Sequence, residues 1–204
     1  ARAFNIQFTD KDNTRKFPFQ TSWGVSTRLI GGIIMTHGDN NGLVLPPAVA
    51  PVQIIIVPIA QHKEGVLEAC RTLRDRLKGS FRVKLDESEN SAGWKFAQYE
   101  MKGVPLRIEL GPRDIEAGQC VMVTRHNGEK HIVSLESIES SAAEMLKNVH
   151  DGLYEKALAN REHRTYACKT PDEINAALAE KGDGFVKTMW CGSPECEAKM
   201  KELC

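Results

Sequence analysis

The chain has 204 residues, with Lys plus Arg and Asp plus Glu balanced at 27 each, and 41% of its residues are hydrophobic, enough to bury a core. Balanced charge excludes a global pull toward nucleic acid or anionic lipid, so any such binding must come from a local patch. No apolar run nears the roughly 20 residues needed to span a bilayer, and Ala1-Arg2-Ala3-Phe4 lacks the layout of a signal peptide, so a soluble, cytoplasmic chain of one or two domains is expected.

Residues 3 to 8 alternate apolar and polar, which predicts a half-buried strand, and Asp10-Lys11-Asp12-Asn13 predicts a turn. A start without Met, inside an apparent strand, suggests a piece of something longer. From Ser26, the apolar positions Leu29, Ile30, Ile33 and Ile34 recur at helical spacing, with Ser26 or Thr27 available to cap the first turn. Arg28 then lies at a helix N-terminus, where free N–H groups and the dipole favour anions and a guanidinium fork adds reach to a phosphate. Gly31-Gly32 costs about 1 kcal/mol per residue against Ala, which predicts close packing of this helix on a neighbour. His37 reads as a satisfied polar residue at the helix end.

Asp39-Asn40-Asn41-Gly42 ends the helix, and Pro46, Pro47 and Pro51 predict a linker, with a domain boundary near 47 to 52. Residues 52 to 59 form a β-branched run, the pattern of a strand buried on both faces. A helix with Val66, Leu67, Cys70, Leu73 and Leu77 on one face follows, with Cys70 a small core residue. Strands at 81 to 85, 106 to 110, 119 to 125 and 132 to 135, a helix at 94 to 101 and a long helix from about 137 to 160 complete the order β-α-β-α-β-β-β-α. That order describes a small α/β domain with a mixed sheet. A helix at 172 to 180 and a strand at 185 to 190 follow.

Six cysteines, three of them within the last fourteen positions, suggest metal before disulfide in a chain of this kind. Cys191 and Cys196 are spaced as half of a tetrahedral zinc site, and Cys204 is a candidate third ligand. Residues 94 to 114 interleave Trp94, Phe96 and Tyr99 with Lys95, Lys102, Arg107 and Arg113, a composition suited to stacking and reading splayed single-stranded bases. No P-loop, no G-x-G-x-x-G after a strand, no H-E-x-x-H and no G-x-S-x-G is present, so covalent catalysis and metal hydrolysis find no support.

Three of these stretches coincide in one order. Thr21 to Gly31 with His37-Gly38-Asp39 and Gly42 to Pro47 resembles the motif-3 end of the catalytic domain of class II prolyl-tRNA synthetases, of the type shared by archaea, eukaryotes and some bacteria. Gly93 to Glu100, Lys102 to Pro105 and Gly111 to Asp114 resemble that family's anticodon-binding domain, and the Cys191 to Cys196 elbow the start of its zinc-binding C-terminal domain. The resemblance implies an α/β fold class in three parts: the strand-helix end of a catalytic domain at 1 to 48, a small mixed-sheet anticodon-binding domain at 49 to 160, and the start of a small, truncated α+β zinc-type domain at 161 to 204.

It further implies a parent enzyme that activates proline with ATP and Mg and transfers it to proline tRNA, as a homodimer. Arg28 would hold the ATP phosphates or adenine and act electrostatically in catalysis. Ser22, Trp23, Gly24, Ser26 and Thr27 would line the adenylate and proline pocket. Glu100, Lys102, Arg107, Arg113 and Asp114 would read the anticodon guanines, and Cys191 and Cys196 would bind Zn in an incomplete site. Motifs 1 and 2 would lie before Ala1, so the chain alone would not aminoacylate, and Ala48 stands where a basic residue is expected after Pro46-Pro47. Two other readings are a non-catalytic tRNA-binding module and a metal-sensing or redox module built on Cys191, Cys196 and Cys204.

Overall fold

The structure is a computed structural model and describes residues 1–203. Its contacts divide the chain into two units, residues 1–32 and the remainder.

In the first unit the expected strand at 3 to 8 is replaced by a 3-10 turn, Arg2–Phe4, ended by Asn5 in the left-handed region. The only pairing there is the two-residue ladder of β1 (Phe8–Thr9) with β2 (Arg15–Lys16) around the expected turn. Lys16 ties that turn together, donating to Asp10 at 2.6 Å and Asp12 at 2.9 Å. Apolar alternation alone does not make a strand without a partner, and Phe4, Phe8 and Phe19 stay exposed. Helix α1 (Arg28–His37) begins where the spacing predicts but has no buried residue, and a Cβ built on Gly31 meets nothing within 4 Å. The close packing expected at Gly31-Gly32 is therefore not formed among the described residues.

The second unit is built on a five-stranded sheet in the order β4-β3-β5-β6-β7. Its strands are β3 (Ile54–Pro58), β4 (Val83–Leu85), β5 (Leu106–Leu110), β6 (Gln119–Thr124) and β7 (Lys130–Ser134). β3 is parallel to both neighbours and every residue in it is buried, as its unbroken β-branched run predicts. β5, β6 and β7 are antiparallel. Helix α2 (Val66–Leu77) turns Val66, Cys70, Leu73 and Leu77 inward onto Ile54, Ile56, Leu106 and Ile108. Burial pushes the Cys70 thiol up to about 12, which fits its reading as a small core residue. The long helix α5 (Ile138–His163) covers the same side with Ile138, Ala142 and Leu146.

The opposite side of β3 is covered by α3 (Ala92–Met101), capped by the Ser91 hydroxyl, which accepts from the Trp94 N–H. Its Tyr99 packs with Ile55, Val57 and Val104. Lys95, only 1% exposed, points inward and donates to Gln61 Oε1 at 2.9 Å and to the Asp86 carbonyl at 3.0 Å. A short helix, α4 (Pro112–Glu116), follows β5 directly. Pro112 and a five-residue length leave no periodicity in the sequence to announce it.

The stretch read as a linker docks on this unit. Leu43 N–H donates to the Met101 carbonyl at 3.0 Å and Leu45 N–H to that of Gly103 at 3.2 Å. Val44 is buried with Val149 and Leu153 on the middle of α5. His37 is not satisfied as expected: among the described residues its buried Nδ1 has no partner, and burial lowers its pKa.

Beyond α5, β8 (Thr165–Ala167) pairs in parallel with β9 (Phe185–Lys187), joined by α6 (Pro171–Lys181), and α7 (Pro194–Leu203) closes the described chain.

Candidate nucleic-acid interface

Strand β5 alternates: Leu106, Ile108 and Leu110 face the α2 side, so Arg107 and Glu109 face the α3 side. The antiparallel register sets Val123 opposite Arg107, Val121 opposite Glu109, Lys130 opposite Val123 and Ile132 opposite Val121. Helix α3 packs over β3 and stops short of β7, where Ile132 and Lys130 are exposed. The result is a sheet face with an apolar floor and charged walls.

A groove of about 160 Å³ opens on this face, lined by Tyr99, Glu100, Val104, Arg107, Thr124, Arg125 and Lys130 among others. Drug-sized ligands need pockets of about 300–1,000 Å³, so this groove suits one small ring system entering from solvent. The Arg107 guanidinium lies 4.1 Å from the Phe96 ring centre and bonds Glu109 at 2.9 Å, which fixes its plane. Lys102 Nζ sits 5.5 Å over the Tyr99 ring. Burial, chiefly, and then the charge of the nearby Asp86 carboxylate push the Tyr99 hydroxyl up to about 12, so it stays a neutral phenol.

Of the five residues expected to read an anticodon, Glu100 and Arg107 line this groove and Lys102 flanks it over Tyr99. Arg113 and Asp114 lie past the far end of β5, about 16 Å along a five-residue strand. Arg113 is exposed, whereas Asp114 accepts from the Gly111 backbone N–H at 2.9 Å and so caps its own helix. Two groove residues escaped the sequence reading, Arg125 and Lys130. Pairing β5 with β6 antiparallel would have found them, because that register returns the end of β6 to the start of β5.

The residues expected at an adenylate site lie in the first unit. Ser22, Trp23, Gly24, Ser26 and Thr27 are all exposed, Trp23 at 94%, and Arg28 is the first residue of α1. They supply a helix N-terminus, hydroxyls and an arginine, a donor set that fits phosphate oxygens, but they do not enclose a pocket.

Cys191 and Cys196 lie together at the start of α7, lining one cavity. The Ser193 backbone N–H and then the Cys196 thiol hold Cys191 below the ordinary thiol value, and Cys191 in turn pushes Cys196 up. Two thiols fit half of a zinc set. Among the described residues no group of three or more His, Cys, Asp or Glu gathers as a metal site, and Cys204 lies outside the described residues. The residues present do not by themselves make up a zinc site.

Residues 53–145, the sheet with α2 to α4 and the first part of α5, match the family described as the anticodon binding domain. By that match, residues 53–145 belong to the class of anticodon-binding domains. Over nearly all its length the chain is also similar to proline–tRNA ligases: 54% identical to that of Ruminiclostridium cellulolyticum over 99% of this chain, 51% to that of Clostridium novyi over 100%, and 54% to that of Alkaliphilus oremlandii over 98%. It spans 42% of the length of each of these relatives. The chain is a relative of the prolyl-tRNA synthetases, matched over a minor part of their length.

Proposed function

We propose that this chain is the part of a proline–tRNA ligase that reads the anticodon of proline tRNA, joined to the segment that supplies motif 3 of the catalytic domain. The observation that carries the reading is the open face of β5 to β7, where a fixed guanidinium (Arg107) and a carboxylate (Glu100) flank a groove with room for one base. A carboxylate accepts from a guanine edge, and a guanidinium donates to O6 and N7.

The whole enzyme joins proline to its tRNA with ATP and Mg. Arg28, with Ser22, Trp23, Gly24, Ser26 and Thr27, forms one wall of the adenylate site, the other walls coming from motifs 1 and 2. At its helix N-terminus Arg28 binds and orients phosphate oxygens. Cys191 and Cys196 are two ligands of a zinc site completed by further cysteines, which supports the type shared by archaea, eukaryotes and some bacteria. The enzyme works in the cytoplasm as a homodimer.

Titration of the chain with a proline anticodon stem-loop, and with the same loop carrying adenine in place of its guanines, tests the reading. Tighter binding of the guanine loop is expected, by about 1–3 kcal/mol for each base edge read. Equal affinity for the two loops would overturn it. For the catalytic wall, Arg28→Ala in the whole enzyme is expected to depress ATP–pyrophosphate exchange, and unchanged exchange would remove Arg28 from that role.

A further inference from the structure

The wall of the groove is held from outside by a segment that reads as a mere connector in the sequence. Arg125, whose side chain is only 6% exposed, donates from Nε to the Glu100 carbonyl at 2.9 Å, and from Nη1 and Nη2 to the two carboxylate oxygens of Asp39 at 2.7 Å each. Such a fork-on-carboxylate pair is geometrically exacting. Asp39 lies in the turn that follows α1, where its Oδ1 also accepts from the Asn41 backbone N–H at 2.9 Å. Asn41 in turn donates from Nδ2 to the Glu100 carboxylate at 3.1 Å. Both the carbonyl and the carboxylate of Glu100 are therefore held by groups anchored in the 39–41 turn.

The backbone repeats the arrangement. Gly42, at φ +127°, lies so close to α3 that a Cβ there would come within 2.6 Å of the Met101 Cα and carbonyl oxygen. Gly103, at φ +70°, likewise approaches the Leu43 backbone, where a Cβ would come within 2.7 Å. With the hydrogen bonds from Leu43 and Leu45, these contacts bracket residues 99 to 104, three of which line the groove. A displacement of that wall displaces the turn.

We propose that Arg125 and Asp39, with Asn41 on Glu100, form a latch through which an RNA base in the groove and the 39–45 segment stabilise each other, Arg125 being a positioning residue. The latch rests on the anticodon-reading assignment and adds regulation to it: a guanine edge that engages Glu100 favours the wall position that also seats the turn. Because coupling between two sites is reciprocal, a seated turn strengthens guanine binding by the same factor. The turn is the direct continuation of α1, whose first residue is Arg28.

The test uses the full 204-residue chain with the guanine and adenine stem-loops as probes, reading amide exchange and affinity together. Saturating guanine loop is expected to slow exchange at the Leu43 and Leu45 amides by about tenfold, the middle of the range for coupled sites. Asp39→Asn, which keeps shape and removes charge, is expected to abolish that slowing and to weaken the guanine loop by about tenfold while leaving the adenine loop nearly unchanged. A merely structural role for Asp39 would weaken both loops alike, and that result overturns the latch, as does exchange at 43 and 45 that ignores bound RNA. Wild-type chain that binds both loops equally overturns the anticodon reading itself, a distinct outcome. Asn41→Ala, which removes one exposed hydrogen bond and keeps the fold, is expected to reproduce the effect more weakly; unaltered coupling in it counts against the Glu100 arm.

Discussion

At the residue scale, Asp39 carries the electrostatic signature of its pairing with Arg125. The hydrogen bonds from Arg125 come first among the causes that hold its carboxyl at about 2, against the ordinary 3.8. Since the folded value is the lower one, its contribution is complete above about pH 4 and is lost as pH falls through about 2. The shift corresponds to about 2 kcal/mol, and to about 1 kcal/mol after screening at a side chain that is 36% exposed. Urea unfolding at pH 6 and pH 2.5 is expected to show this difference in wild type and its absence in Asp39→Asn; an unchanged pH slope in the variant would remove Asp39 as its source. Arg107 and Arg113 divide at the same scale. Because Arg107 lies near the start of β5 and Arg113 in α4 beyond its far end, Arg107→Ala is expected to cost about 1–3 kcal/mol at one anticodon position. Any loss in Arg113→Ala should fall on a different nucleotide, as cycles pairing each variant with single base changes will report. Coupling of both arginines to the same base would mean that the RNA does not run along the strand.

At the element scale, hydrophobic period located what it physically governs. The all-apolar β3, the alternation of β5 and the inward stripe of α2 each reflect a face that must be buried, so their residues announce them. Elements made by polar or steric accidents left no such trace: α4 is set by Pro112 and the Asp114 cap, and the docking of 42 to 45 depends on positive φ at two glycines. The candidate site divides in the same way. Lys102 and Arg107 stand out in the sequence among aromatics and Glu100 through the resemblance, and all three lie at or beside the groove, whereas Arg125 reaches the groove only through antiparallel pairing and Asp39 only through a turn 86 residues away. The glycines supply a test. Gly42→Ala and Gly103→Ala are each expected to cost about 1–3 kcal/mol in urea unfolding, from left-handed backbone and backbone overlap. Their double variant should lose less than the sum, since both break one interface. Gly31→Ala has no such obstacle and is expected to gain about 0.5–1 kcal/mol of helix stability, read as slower exchange in α1.

At the scale of the whole molecule, the two units differ in how their apolar residues are used. The second unit buries its large aliphatic residues in a continuous core between sheet, α2 and α5, whereas the first exposes Phe4, Phe19, Trp23, Val25, Leu29 and Ile30. Many large apolar side chains left exposed within one short unit point to a contact site. The curated relatives are more than twice as long as the chain, and under the proposed assignment of Thr21 to Gly31 to motif 3 the occupant would be the rest of a catalytic domain. Trp23 then serves as a reporter. With 5-fluorotryptophan, its resonance, assigned by its loss in Trp23→Phe, is expected to show the full solvent isotope shift between H₂O and D₂O in this chain. In the whole proline–tRNA ligase the same resonance should lose most of that shift, because the indole becomes covered. A Trp23 signal equally solvent-sensitive in both proteins would mean that the rest of the enzyme does not close over this surface, and the wall assigned to the adenylate site would have to be sought elsewhere.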